Sequence, residues 1–153
     1  MKNLYILLIV LITVTGCSVA AKDNLQWFKT VDEAIEYGLK EEEINLQDLI
    51  GEINENGERF IFYKKDMRDG LGLGVANVIE KNGQFAWFKS DPNVLVNVSQ
   101  ISWETETPSK KKFIIHTGIL EYEDMSIETE KGMVKPYVDT NNKIYYYVES
   151  VDE

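Results

Sequence analysis

Residues 72–89 read GLGVANVIEKNGQFAWFK, and they carry the strongest local structural signal in the chain. Two stretches with strand-like alternation flank the pair Asn82-Gly83. An Asn-Gly pair favours the type I′ turn, whose twist matches that of two antiparallel strands. We therefore predict a β-hairpin with one arm over residues 72–80 and the other over residues 84–89.

Alternating patterns continue on both sides of this hairpin and predict further strands joined by short turns. These strands lie in hairpins over residues 52–65, 101–118 and 125–138, in a short strand over 94–98 and in a last strand over 143–149. Phe60 and Phe62 would share one face and build a buried wall. Strands connected in this way form an antiparallel meander.

One helix precedes the strands. Thr30 and Glu33 have the spacing of a capping box, in which the two side chains satisfy free amides of the first turn. Apolar residues then recur at helical spacing, which predicts a helix over residues 31–40. The predicted fold class is α+β, with one N-terminal helix and an antiparallel meander sheet of about seven to nine strands. The helix would pack on one face or plug one end, and a half-open barrel is the alternative closure.

Composition excludes several classes of function. The 153 residues fit a single domain. The single cysteine excludes an intrachain disulfide and a cysteine-based zinc site, and the single histidine excludes a site with two histidine ligands. A net charge of −10 lacks the basic excess that nucleic-acid binding requires. The sequence therefore predicts no nucleic-acid partner, no metal and no cofactor.

The first residues have the layout of a secretory signal peptide. Lys2 precedes an apolar run over residues 4–14, which is shorter than the ~20 residues of a membrane-spanning helix. The run ends in Val14-Thr15-Gly16-Cys17, which resembles the lipobox of bacterial lipoproteins. The resemblance implies cleavage before Cys17 and a diacylglyceryl group on its thiol. The alternative is an uncleaved anchor with an unmodified cysteine.

The resemblance also implies a domain organisation. Residues 1–16 would be a signal peptide, residues 17–24 a lipidated tether and residues 25–153 a single extracytoplasmic α+β domain. The protein would then be anchored in the cell membrane, because two acyl chains attach a protein stably. The helix over residues 28–35, the glycine-containing hairpins and the tyrosine-rich end are similar to small uncharacterised lipoproteins of Gram-positive, spore-forming bacteria, a family without a known activity.

Gly70, Gly72, Gly74 and Ala76 lie on one face of a predicted strand. The stretch does not match the phosphate-binding pattern G-x-G-x-x-G, and it precedes a strand rather than a helix. We interpret Gly72 and Gly74 as part of a track without side chains, which lets a ring or the helix approach the backbone. The alternative is a ligand groove.

His116 and the C-terminal tyrosines are the remaining candidates. A catalytic histidine needs a nucleophile or carboxylate partner, and the sequence shows no nucleophile motif, so we interpret His116 as a structural residue. Tyr137, Tyr145 and Tyr147 either cover the sheet or form an exposed binding patch. The turn after Asp139 lacks the glycine of a calcium loop.

These features favour a membrane-tethered extracytoplasmic lipoprotein that acts as a non-enzymatic binding or interaction module. Its partner would be a cell-envelope protein or a small ligand. The alternative is an extracytoplasmic hydrolase that uses carboxylates, which 26 acidic residues could supply. The sequence alone assigns no catalytic residue.

Overall fold

The structure, a computed structural model, describes residues 25–89 and 91–151. The predicted signal peptide over residues 1–16 and the tether over residues 17–24, including Cys17, lie outside the described residues. Within the part described, no helix has both the length and the apolar character to cross a membrane.

The described chain has one helix and eleven strands, which confirms the α+β class. The helix α1 (Val31–Glu41) is followed by a 3-10 turn (Leu46–Asp48). The strands are β1 (Leu49–Glu55), β2 (Glu58–Met67), β3 (Gly70–Lys81), β4 (Gln84–Phe88), β5 (Val94–Leu95), β6 (Ile101–Glu106), β7 (Lys112–Ile119), β8 (Ile127–Thr129), β9 (Gly132–Val134), β10 (Tyr137–Asp139) and β11 (Ile144–Ser150).

The strands divide into separate antiparallel sheets instead of one meander. The first sheet has the order β1-β2-β3-β4, and β5 pairs with the part of β3 that β4 leaves free. The second sheet has the order β10-β11-β7-β6, and β8 and β9 form a hairpin of their own. The sheets do not close on themselves, so the half-open barrel considered as an alternative is not formed.

The first sheet is the middle of three layers. On one side, Phe60 and Phe62 meet Phe113 and Tyr146 of the second sheet, with ring centroids 4.9 and 4.6 Å apart. On the other side the sheet carries α1, so the helix packs on a face rather than plugging an end. That second core consists of Ala34, Ile35, Leu39, Ile61, Tyr63, Ala76, Val78 and Trp87. Burial of both faces explains why β2 contains consecutive apolar residues.

Local signals set the ends of these elements. The Thr30 hydroxyl accepts a hydrogen bond from the Glu33 amide at 3.2 Å, and the Glu33 carboxylate accepts one from the Thr30 amide at 3.3 Å, which confirms the capping box. Asn82 and Gly83 have φ values of 54° and 73° between β3 and β4. Both are positive, as a type I′ turn requires, and the predicted hairpin is confirmed.

Candidate functional site

Three polar side chains meet on the outer face of the second sheet. His116 lies in β7, where Phe113 and Ile115 face the core. Because side chains alternate between the two faces of a strand, the side chain of His116 points outward. Ser102 of β6 is directly opposite His116 in the strand register. Glu149 comes from β11, on the other side of β7. We refer to Ser102, His116 and Glu149 as the polar triad.

The polar triad is a continuous chain of hydrogen bonds. Ser102 Oγ lies 2.8 Å from His116 Nδ1, and His116 Nε2 lies 2.8 Å from Glu149 Oε1. An ionised carboxylate can only accept, so Nε2 of His116 carries the proton. In the neutral ring, Nδ1 is then free to accept the proton of the Ser102 hydroxyl. His116 and Glu149 are only 4% and 2% exposed, whereas Ser102 is exposed.

The environment of Glu149 favours its charged form. Burial alone would raise the pKa of this carboxyl, but the hydrogen bonds from His116 and from the Glu130 amide outweigh burial and hold the pKa below its ordinary value. The Glu130 amide lies 3.3 Å from Oε1. The second carboxylate oxygen, Oε2, is buried and has no hydrogen-bond partner among the residues described. The polar triad therefore ends in a buried negative charge.

An open groove of about 490 Å³, here the Ser102 groove, lies over the polar triad between β6, β7 and the β8–β9 hairpin. It is lined by Gln100, Ser102, Trp103, Glu104, Ile114, His116, Glu128, Thr129 and Glu130. The Gln100 amide donates to the Glu128 carbonyl at 3.1 Å and connects the hairpin to the segment before β6. The lining contains three glutamates and no lysine or arginine, and of these glutamates Glu104 pairs with Lys112 at 3.1 Å. The groove therefore attracts positive charge mainly through Glu128 and Glu130.

A second groove, of about 510 Å³, lies at the turn end of the first sheet near Trp27 and Lys81. Two charged residues of its wall are engaged within the domain. Arg59 pairs with Glu52 at 3.2 Å, and Glu58 accepts from Ser109 at 2.5 Å. The Ser102 groove is the stronger candidate because its exposed hydroxyl is hydrogen-bonded to a histidine, whereas Ser109 in the second groove donates to Glu58.

The glycine track is filled by side chains and forms no ligand groove. A Cβ added at Gly74 would overlap the ring of Tyr63, and one added at Gly72 would overlap the side chain of Met67. Gly70 is at the end of the track and has a positive φ of 141°. The structure therefore supports the packing interpretation of Gly72 and Gly74.

The three tyrosines proposed as a patch do not share a surface. Tyr145 is fully buried, and its hydroxyl donates to the Ser99 carbonyl at 2.9 Å. Tyr147 is half-buried beside His116. Tyr137 is 52% exposed but stacks on Tyr146, whose ring belongs to the core between the sheets. The patch is not formed because register pairs Tyr137 with Tyr146 and so places it on the opposite face.

The other candidate positions show no ligand chemistry. Asp139 accepts hydrogen bonds from the amides of Asn141 and Asn142, so the segment is a side-chain-stabilised turn, as predicted. Within residues 25–89 and 91–151, no cluster of three or more histidine, cysteine or acidic residues could hold a metal ion.

Sequence reasoning found His116 but missed both of its partners. The signal for Ser102 was present, because a hairpin closed between Thr107 and Lys111 places Ser102 opposite His116. Glu149 had no comparable signal, since its strand joins β7 only after three intervening strands.

Compared with protein-family models, curated proteins and solved structures, the chain shows no match.

Proposed function

We propose that the chain is a bacterial lipoprotein, anchored in the cell membrane through Cys17 and facing the extracytoplasmic side. The support is the lipobox-like Val14-Thr15-Gly16-Cys17, which contains the only cysteine of the chain. Residues 18–24 would connect the anchor to the domain. Such a segment reaches on the order of 15 Å as a coil, so the domain would act close to the membrane surface.

The domain itself is proposed to be a binding module that takes a cationic group into the Ser102 groove. The observation that carries this proposal is the lining of the groove, where Glu128 and Glu130 lie near an exposed hydroxyl and no lysine or arginine belongs to the described wall. The third glutamate of the lining, Glu104, pairs with Lys112 at 3.1 Å. An ammonium or guanidinium group of a cell-envelope protein or a small ligand fits this field. The net charge of −10 adds a long-range attraction for such partners.

The anchor is tested by replacing its thiol. Cys17→Ser should abolish metabolic labelling with palmitate and release the protein from membranes or stall it with its leader attached. Ser18→Ala, one residue further, is the matched control and should label as the wild type does. Equal labelling of Cys17→Ser and the wild type would show that the lipoprotein proposal is wrong.

The groove is tested by NMR titration of residues 18–153 with the peptide acetyl-Lys-Lys-amide. The amide signals of residues 128–130 and of Ser102 should shift, and added salt should weaken binding. The double variant Glu128→Gln/Glu130→Gln should bind more weakly, whereas Glu36→Gln/Glu41→Gln on the exposed side of α1 removes the same charge elsewhere. If both double variants lose affinity equally, net charge attracts the peptide and the groove is not its site.

In this structure the hydrolase alternative would use a serine nucleophile. The groove presents a hydrogen-bonded serine, so the chemistry would rest on Ser102 and not on a pair of carboxylates.

A further inference from the structure

We infer that Ser102 is a nucleophile for acyl transfer, with His116 as its general base and Glu149 as the residue that positions the imidazole. This activity does not depend on the binding function proposed above. It rests on an unbroken hydrogen-bond chain that begins at an exposed hydroxyl and ends at a buried carboxylate. A nucleophile, a base and a group that orients the base are the three parts of an activated serine.

Each nitrogen of His116 has the role that this chemistry requires. Nδ1 lies 2.8 Å from Ser102 Oγ and is the proton acceptor, and Nε2 lies 2.8 Å from Glu149 and is the donor. In the serine proteases the two nitrogens are used the other way round, with Nε2 facing the serine. The exchange leaves the proton path intact, because either ring nitrogen accepts a proton when the other carries one.

The buried charge of Glu149 indicates a role beyond holding the imidazole of His116 in place. Ionised carboxylates are costly to bury unless hydrogen bonds satisfy them, and His116 and the Glu130 amide supply such bonds to Oε1 of Glu149. A neutral glutamine could accept the same single hydrogen bond from the imidazole, but it would carry no charge. A carboxylate at this position does what glutamine cannot, because it stabilises the positive charge that His116 acquires when it takes the serine proton.

The proposed step transfers an acyl group from an ester to the serine. Ser102 Oγ attacks the ester carbonyl carbon while its proton passes to Nδ1 of His116. The new Oγ–C bond forms, the ester C–O bond breaks, and the leaving alcohol takes the proton from His116. Water then repeats the sequence on the acyl-serine, which releases the carboxylic acid and restores Ser102. No redox partner or further co-reactant is needed.

The groove restricts the esters that can react. It is open, so it places no lid over the substrate, and its glutamates repel anionic esters. Small neutral or cationic esters are therefore the expected substrate class. The Gln100 amide already donates to the Glu128 carbonyl, so it is not free to stabilise an oxyanion fully. Turnover should be slow, and covalent capture is the better measurement.

The test is labelling of the full-length chain in mild detergent with a neutral alkyl fluorophosphonate, which phosphonylates an activated serine and releases fluoride. Intact-mass and peptide mass spectrometry should show one adduct, on Ser102, and none in Ser102→Ala. Ser126, another exposed serine, is the internal reference and should label at least about 100-fold more slowly. Equal labelling of Ser102 and Ser126 would overturn the inference.

The roles of the two partners are separated by further variants. His116→Gln should reduce the labelling rate at Ser102 at least about 100-fold. Glu149→Asp, which keeps the charge, should retain more of the rate than Glu149→Gln, and a purely structural role would not produce this order. If His116→Gln does not fold, the comparison of Ser102 with Ser126 in the wild type still decides. Binding of acetyl-Lys-Lys-amide is measured on the wild type without the fluorophosphonate, and labelling of Ser102 is measured without the peptide, so failure of the nucleophile and failure of the binding site are distinguishable.

Discussion

The side chain of Tyr63 occupies the space over Gly74, the residue directly opposite it in the neighbouring strand. Tyr63 has no exposed surface, and its hydroxyl donates to Asn93 Oδ1 at 3.3 Å. Its ring centroid lies 5.9 Å from that of Trp87, which contacts α1. The absence of a side chain at Gly74 therefore allows the helix, Tyr63 and the first sheet to form one core.

We expect Gly74→Val to destabilise the domain by about 1–3 kcal/mol or more, because the new side chain must displace a ring that is packed on all sides. Urea unfolding of residues 18–153 measures the change. Gly72→Val is the matched comparison on the same face, and it should cost less because the flexible Met67 side chain can move away. A Gly74→Val variant at least as stable as the wild type would show that the Tyr63 ring does not need this space.

Gly38→Ala is expected to destabilise the protein although alanine is the better helix former. In a helix interior this change ordinarily stabilises by about 0.5–1 kcal/mol. Here a Cβ at Gly38 would overlap the ring of Trp87, so α1 would have to move away from β4. Thermal unfolding of Gly38→Ala should show a lower midpoint, and Glu36→Ala on the exposed side of the helix should leave it nearly unchanged. A raised midpoint for Gly38→Ala would contradict the contact.

The helix cap and the hairpin turns were predictable because each depends on residues close together in sequence. Thr30 with Glu33, and Asn82 with Gly83, are local signals that the fold keeps. The hairpin between β6 and β7 is equally local, which is why the contact between Ser102 and His116 follows from sequence. The contact between His116 and Glu149 depends on the pairing of β7 with β11, which is set by burial of the whole domain and not by any turn.

The sequence also contains a partial signal for the position of the first sheet between the second sheet and α1. The run Phe60-Ile61-Phe62-Tyr63 has no polar position, as expected for a strand that is buried on both faces. An interpretation in which only Phe60 and Phe62 face a core explains two of these four apolar residues. Ile61 and Tyr63 instead face α1. Sequence patterns cannot tell which element covers the second face, because several amphipathic segments could do so.

Lys89 connects the end of α1 to the loop after β4. Its Nζ lies 2.5 Å from Glu42 Oε2 and 2.9 Å from Asn93 Oδ1, in partly buried surroundings. Lys89→Met should destabilise by about 1–3 kcal/mol, because Glu42 and Asn93 lose a charged donor and water reaches them poorly. Lys110→Met removes a lysine whose ion pair with Glu106 is far more exposed, and it should cost less than about 1 kcal/mol. Equal losses in urea unfolding would argue against the connection.

The charge on Glu149 should make stability depend on pH. The pKa of this carboxyl is lower in the folded protein than its ordinary value of 4.5, because hydrogen bonds from His116 and the Glu130 amide outweigh burial. Its contribution is therefore fully present above that ordinary value, and it is lost as the pH falls through the lower folded pKa. Glu149→Gln removes the charge and should be less stable than the wild type by about 1–3 kcal/mol at neutral pH. Urea unfolding from about pH 7 to about pH 3 should show this difference shrinking on acidification, while Glu36→Gln, at an exposed helix position, follows the wild type throughout. A difference between Glu149→Gln and the wild type that stays constant over this range would mean that Glu149 contributes through its shape and not through its charge.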